Sequence, residues 1–314
     1  MNPLSRREFA ACAGAGALAV PRVFAQKTPG APITAPIAAP ITAPITASGL
    51  VERIRRNAGV EWKTDTVDTF KAGDPSTVVK GIVTTTMATL DVLKQAVAAG
   101  ANMVITCEPT FFARADNPNP PPGRGAANAP PDAVLAAKRD FIQRNGLVVW
   151  RFSDHWRLRT PDPLAQGIAG EMGWAKYQVA GDDKHFRLHQ AVTLAALAAD
   201  LKKKLSIRGG IRVIGDPRAE IRKVGILAGS TPLAASLRTM PGVDAIIAGE
   251  VREWESVEYV QDTVTAGLRK GMILLGRVVS EEPGMKLCAA WLRTFVGEAP
   301  VTWIPVGDPY WRPV

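Results

Sequence analysis

Four short stretches of this 314-residue chain carry side chains capable of chemistry, and each follows an apolar run. Cys107 and Glu108 come after MVIT, and Ser153, Asp154 and His155 after VVWRF; Glu250 comes after AIIAG, and Arg277, Ser280 and Glu281 after ILLG. Thiolate, carboxylate and imidazole together make a metal-ligand set, and ligands from separate strand ends converge without being adjacent in sequence. Each residue also has an ordinary reading. Cys107 can be a small buried hydrophobe, Glu108 a surface cap ahead of Pro109, Asp154 a turn acceptor and His155 a packed histidine. Glu281 can complement the N-terminus of a following helix. The combination, rather than any single residue, points to a site. His185 and His189 flank a loop in this reading and are taken as structural.

Reactive groups at strand ends require an alternating fold, because ligands of open α/β sheets bind beyond the carboxyl ends of the strands. The chain supplies the pattern. Val78 to Thr86 reads as a strand, and Ala88 to Ala99 as a helix with Leu90, Leu93, Val97 and Ala98 on one face. Met103 to Thr106 is a buried strand, Asp132 to Asn145 a helix stopped by Gly146, and Leu147 to Phe152 the next strand. Thr193 caps a helix whose inward stripe is Leu194, Leu197, Ala198, Leu201 and Leu205. Further strands are expected at 211–214, 223–227, 245–248, 272–275 and 301–305, with a helix from Gly284 to Phe295 before the last. The expectation is an α/β fold of two domains, 49–165 and 166–314, with mostly parallel mixed sheets. A proline-rich stretch from Ala115 to Asp132 is either a lid over Cys107 and Glu108 or a solvated excursion.

The ends and totals limit the possibilities. Ser5, Arg6, Arg7, Glu8 and Phe9 precede a mild Ala/Gly-rich stretch and then Val23, Phe24 and Ala25, which reads as a twin-arginine signal peptide over 1–25 and places the mature protein in the periplasm or otherwise outside the cytoplasm. Residues 26–47, rich in Ala, Pro, Ile and Thr, read as a spacer. The net charge of +9 loses +2 with the leader, leaving about +7. Those charges are scattered without interleaved aromatics, so no nucleic-acid partner is expected. No later run approaches the roughly 18 apolar residues of a membrane span. Of three cysteines, Cys12 lies in the leader, and Cys107 with Cys288 is one possible pair and no framework.

The stretches VTTTMATLDVLKQAVAAGANMVITCEPTFF, AIIAGEVREWESVEYV and MILLGRVVSEEPGM resemble the Nif-three-like dinuclear metal-centre family, also called GTP cyclohydrolase I type 2, over most of residues 49 to 314. The resemblance implies two similar α/β domains, a hexameric ring and two metal ions in the cleft between the domains. The family's His-His-Pro run falls on Cys107, Glu108 and Pro109, its aspartate on Asp154, and its His-x-x-x-Glu pair on Arg277 and Glu281. Cysteine and glutamate can still donate to a metal. Arg277 cannot, since its guanidinium has no lone pair to give. A cation beside it is repelled by several kcal/mol on a rough Coulomb estimate.

The sequence therefore leads to one divalent metal or none, with Cys107, Glu108, Asp154, His155 and Glu281 as ligands and zinc the expected occupant ahead of iron or manganese. On that reading the protein is an exported hydrolase-like homo-oligomer in which Glu250 or Glu108 is the general base and Arg277 steadies an anionic or heterocyclic small molecule. The competing expectation is a non-catalytic oligomer with a decayed or structural metal site.

Overall fold

Side-chain caps set where the helices begin. Thr46, Thr89, Asp132, Asp162 and Thr193 each stand in extended or near-extended backbone and accept a hydrogen bond from an N–H of the first turn that follows. Those N–H groups have no partner inside the helix, so the cap fixes the boundary. The structure, a computed structural model, describes residues 43–113, 116–117 and 132–311. The leader, most of the spacer, and residues 118–131 of the proline-rich stretch lie outside the described residues.

In chain order the elements are α1 (Ala47–Asn57), β1 (Phe70–Ala72), β2 (Ile82–Thr85), α2 (Leu90–Ala98), β3 (Met103–Thr106), α3 (Ala133–Arg144), β4 (Val148–Arg151), the single turn α4 (Asp154–Arg157), α5 (Pro163–Met172), β5 (His185–Thr193), α6 (Leu194–Lys204), β6 (Arg212–Ile214), β7 (Glu220–Ser230), α7 (Leu233–Thr239), β8 (Ala245–Glu250), α8 (Glu258–Thr265), β9 (Gly271–Leu274), α9 (Arg277–Leu292) and β10 (Val301–Trp303). They build two five-stranded sheets, ordered β1-β4-β3-β2-β10 and β5-β7-β8-β9-β6. In the first, β10, β2, β3 and β4 are parallel and β1 is antiparallel. In the second, β7, β8 and β9 are parallel between antiparallel edges.

Both faces of each sheet are covered, as parallel strands require. On β3, Met103 and Ile105 face Leu50 and Ile54 of α1 and Met285 and Leu292 of α9, while Val104 faces Val92, Leu93 and Ile142. The second sheet puts Ile221, Ile226 and Ile247 against Leu194, Leu197 and Leu201 of α6, and Ile246 and Met272 against Met240 and Val260. Among the described residues no helix is long and apolar enough to cross a membrane.

Several expectations shift. Helix α1 starts at Ala47, and Ile45 is already buried, so the final residues of the expected spacer belong to the fold. A division at residue 165 does not describe the sheets, because β10 at the chain's end pairs with β2 in the first of them. Helix α2 buries Val92, Leu93 and Ala96 rather than a Leu90–Val97 face. His185 opens edge strand β5 straight after a loop, and His189 lies within that strand. Helix α9 begins at Arg277, seven residues before Gly284, and runs through Pro283. Gly276, at φ +85°, turns the chain straight from β9 into that helix, a conformation glycine adopts without strain.

Helices α5 and α9 cross at near backbone contact. A Cβ on Gly167 would stand 2.4 Å from Gly284 N and Pro283 C, whereas one on Gly170 would meet nothing within 4 Å. Gly167→Val is therefore expected to lower stability by about 3 kcal/mol, at the upper end for overpacking, whereas Gly170→Ala should raise it by about 0.5–1 kcal/mol through helix propensity; denaturant unfolding of both variants checks the pair.

Candidate functional site

Asp68 organises the approach to the site. Its carboxylate is fully buried and accepts hydrogen bonds from the backbone N–H groups of Ser153 (2.6 Å), Asp154 (2.9 Å) and His155 (2.9 Å), and pairs with His155 Nδ1 at 2.7 Å. These are orphan donors at the start of α4, so one anion both caps and orients that turn. His155 Nε2 accepts from Lys63 N–H at 2.8 Å, and its ring stacks on Trp62 with centroids 3.7 Å apart. Both ring nitrogens are thus engaged, with the proton on Nδ1. Asp154 accepts from Thr66 Oγ1 and Val67 N, and these bonds hold its carboxyl below the usual range against the opposing effect of burial. Neither residue joins the group of Cys107, Glu108 and Glu281 among the described residues; both serve the placement of α4.

The last residue of that turn, Arg157, reaches the centre. Its Nη2 lies 3.4 Å from Cys107 Sγ, 2.9 Å from Glu108 Oε1 and 2.7 Å from Glu281 Oε1. Arg277 closes the other side, with Nη2 2.7 Å from Glu108 Oε2, Nη1 3.6 Å from Glu250 Oε2 and Nε 3.7 Å from Glu281 Oε1. The carboxyl ends of both sheets supply these groups: Cys107 and Glu108 follow β3, Arg157 follows β4, Glu250 ends β8, and α9 follows β9. Arg277, Ser280 and Glu281 share a face because they stand at i, i+3 and i+4 of α9. Gly229, at φ +77°, gives them room, since a Cβ there would stand 2.4 Å from Glu281 Oε1 and 2.8 Å from Arg157 Nη1.

Burial sets the electrostatics. Glu281 is fully buried, and desolvation, reinforced by Glu108, raises its pKa to about 7 despite Arg157 and Arg277. Desolvation also pushes the Cys107 thiol to about 12, against the pull of Arg157. Burial disfavours the charged form of Arg157, but Cys107, Glu281 and Glu108 outweigh it and the pKa is raised. Two arginines thus face two carboxyls in a partly dry site. Cys107 and Cys288 are both buried and free.

Cys107, Glu108 and Glu281 form a buried group whose donor atoms all lie within 4.8 Å of one another, and such a cluster could hold a metal. Its surroundings fit a guanidinium better. An ion bound there would have to displace Arg157 Nη2, which hydrogen-bonds one atom of each of the three residues. Of the residues expected at the site, Cys107, Glu108, Glu250, Arg277 and Glu281 come together, while Asp154 and His155 stand apart. Arg157 was not foreseen. The available signal was its position three residues beyond Asp154, which puts it on the opposite end of a single helical turn started at the strand end.

Two α/β sheets that meet at their carboxyl ends around a polar centre define the class of protein. The profile of the Duf34/NIF3 (NGG1p interacting factor 3) family matches residues 151–306, a stretch holding Arg157, Glu250, Arg277 and Glu281 but not Cys107 or Glu108. A GTP cyclohydrolase 1 type 2 homolog from Clostridium acetobutylicum is 26% identical over 201 residues, 60% of this chain and 68% of the relative. Among solved structures, a Staphylococcus aureus hypothetical protein superposes with TM-score 0.66 at 15% identity, covering 86% of this chain and all of the other. A Bacillus cereus protein related to NIF3 gives TM-score 0.66 at 12% identity with the same coverage. Over residues 151–306 the chain matches the Duf34/NIF3 family, and its fold is that of the NIF3-related structures.

Glu281 gives a pH test. Its folded pKa lies above the unfolded value of 4.5, so the native state holds the extra proton between pH 4.5 and about 7, and stability falls as pH rises through that window. Thermal unfolding from pH 4.5 to 8 is expected to show this decline in the wild type, with a flatter profile in Glu281→Gln.

Proposed function

We propose that this protein is an exported, oligomeric Duf34/NIF3 family member whose centre is held by arginine in the place of a metal ion, and that it binds a small polar ligand there rather than activating water. One observation carries the reading: Arg157 Nη2 bonds one atom of each of the three residues that would otherwise ligate a cation. A second supports it, because Arg277 stands where the family's late histidine would, and it cannot donate to a metal. Ligand binding draws on groups still unused. Arg277 Nε and Glu281 Oε2 are buried without a hydrogen-bond partner, one a donor and the other an acceptor. Arg277 and Glu250 are 32% and 59% exposed, which makes them the mouth of the centre.

The donor set Cys107, Glu108 and Glu281 favours a second reading, a metal-dependent hydrolase-like protein. There a divalent ion, zinc first, would supply an acidified water, Glu108 or Glu250 the base and Arg277 an anion clamp. The name of the Clostridium acetobutylicum relative suggests opening of a purine-like ring as its reaction.

Elemental analysis separates the two readings. Wild-type protein is expected to hold less than about one tenth of an equivalent of transition metal, and Arg157→Ala to gain zinc toward about one equivalent because two buried carboxyls lose their counter-ion. Near-stoichiometric metal in the wild type that disappears in Cys107→Ala establishes the hydrolase reading instead.

Export has its own test. Replacing Arg6 and Arg7 by lysine is expected to leave uncleaved precursor in the cytoplasm, as cell fractionation and the N-terminal mass would show. Processing unaffected by the change would remove the twin-arginine route.

A further inference from the structure

A cleft of about 480 Å³ opens on the face of edge strand β5, at the start of β7. It lies far from the arginine centre: Lys223 and Gly229 are six residues apart on β7, or roughly 20 Å of strand. Arg187 and Lys223 line the cleft and stand directly opposite each other in the antiparallel pair. Like charges in that register repel. Both residues are exposed, and neither forms an ion pair among the described residues. The nearby Asp244 spends its Oδ2 on the backbone N–H groups of Arg222 and Lys223.

The remaining lining groups also lean toward donation. Gln178 uses its Oε1 to accept from Gln166, which leaves its amide N–H groups for a ligand. The single carboxylate, Asp182, is already engaged: Oδ1 accepts from Lys184 N and His185 N, and Oδ2 pairs with His185 Nδ1. That pairing fixes the imidazole, and His185 Nε2 is buried without a hydrogen-bond partner. The cleft therefore presents a guanidinium, an ammonium and an amide, with the oxygens of Asp182 already engaged.

We infer that the cleft lined by Gln178, His185, Arg187 and Lys223 is a binding site for a phosphate group, either free phosphate or the terminal group of a phosphate monoester. Phosphate is acceptor-rich, carries close to two charges at neutral pH and matches the fork of an arginine. It also relieves the repulsion between Arg187 and Lys223.

Calorimetric titration of the purified protein at low salt tests this, with inorganic phosphate and glycerol phosphate as probes and chloride as the ionic-strength control. Saturable one-site binding is expected, weakened about tenfold by Arg187→Ala and about tenfold by Lys223→Ala. Both substitutions are on exposed side chains, so the variants should keep the wild-type melting temperature. Tighter binding of glycerol phosphate assigns the site to an ester, and tighter binding of inorganic phosphate to the free ion. Absence of saturable binding, or equal binding by wild type and both variants, overturns the inference. So does loss of binding in Arg157→Ala with retention in the β5 and β7 variants, because the anion would then sit at the other centre.

Discussion

Much of the structure answers to one constraint: two carboxyls and a thiol are buried where both sheets end, and something positive must stay with them. Carboxylates removed from water are destabilising unless a partner and hydrogen bonds compensate. Arg157 supplies both, with one nitrogen bonded to Cys107, Glu108 and Glu281, and Arg277 holds the far oxygen of Glu108. Glu281, fully enclosed, has its pKa raised to about 7 even so, because desolvation and the neighbouring Glu108 outweigh the arginines.

Holding a guanidinium in that position requires support that is not itself reactive. Asp68 gathers the N–H groups at the start of α4 and the imidazole of His155, and Trp62 covers that ring on one face. A four-residue helix has little stability of its own, so its direction comes from this buried anion. Glycines complete the arrangement. Gly229 leaves space for the Glu281 and Arg157 heads, and the Gly167–Gly284 crossing lets α9 lie close to α5 while also touching strands of both sheets. Small residues here serve proximity between backbones rather than flexibility.

Family likeness and local chemistry diverge at this point. The fold is that of the Duf34/NIF3 proteins, and fold alone does not settle chemistry. At the centre of this chain a thiol, two carboxyls and Arg277 meet, and a second arginine from α4 joins them. The phosphate-binding inference concerns a different end of the second sheet, where the features are unpaired cations on edge strand β5 and its neighbour β7 rather than buried carboxyls.

The sequence by itself determined the alternating α/β pattern, since buried runs such as Met103–Thr106 and Ala245–Ala248 and capping residues such as Thr193 and Asp132 act over a few neighbours. It also determined the polar strand ends, and so brought Cys107, Glu108, Glu250, Arg277 and Glu281 to notice. It could not determine that β10 returns to the first sheet or that His185 lies on a strand, because strand pairing is a long-range choice. It could not show what Asp154 and His155 bond to for the same reason: their partners, Thr66, Val67, Asp68 and Lys63, lie some 90 residues earlier in the chain. Only the tertiary structure decided that Arg157, unremarkable in sequence, is the cation at the centre, because its charge matters through residues 50 and 124 positions away that folding brings within hydrogen-bond reach.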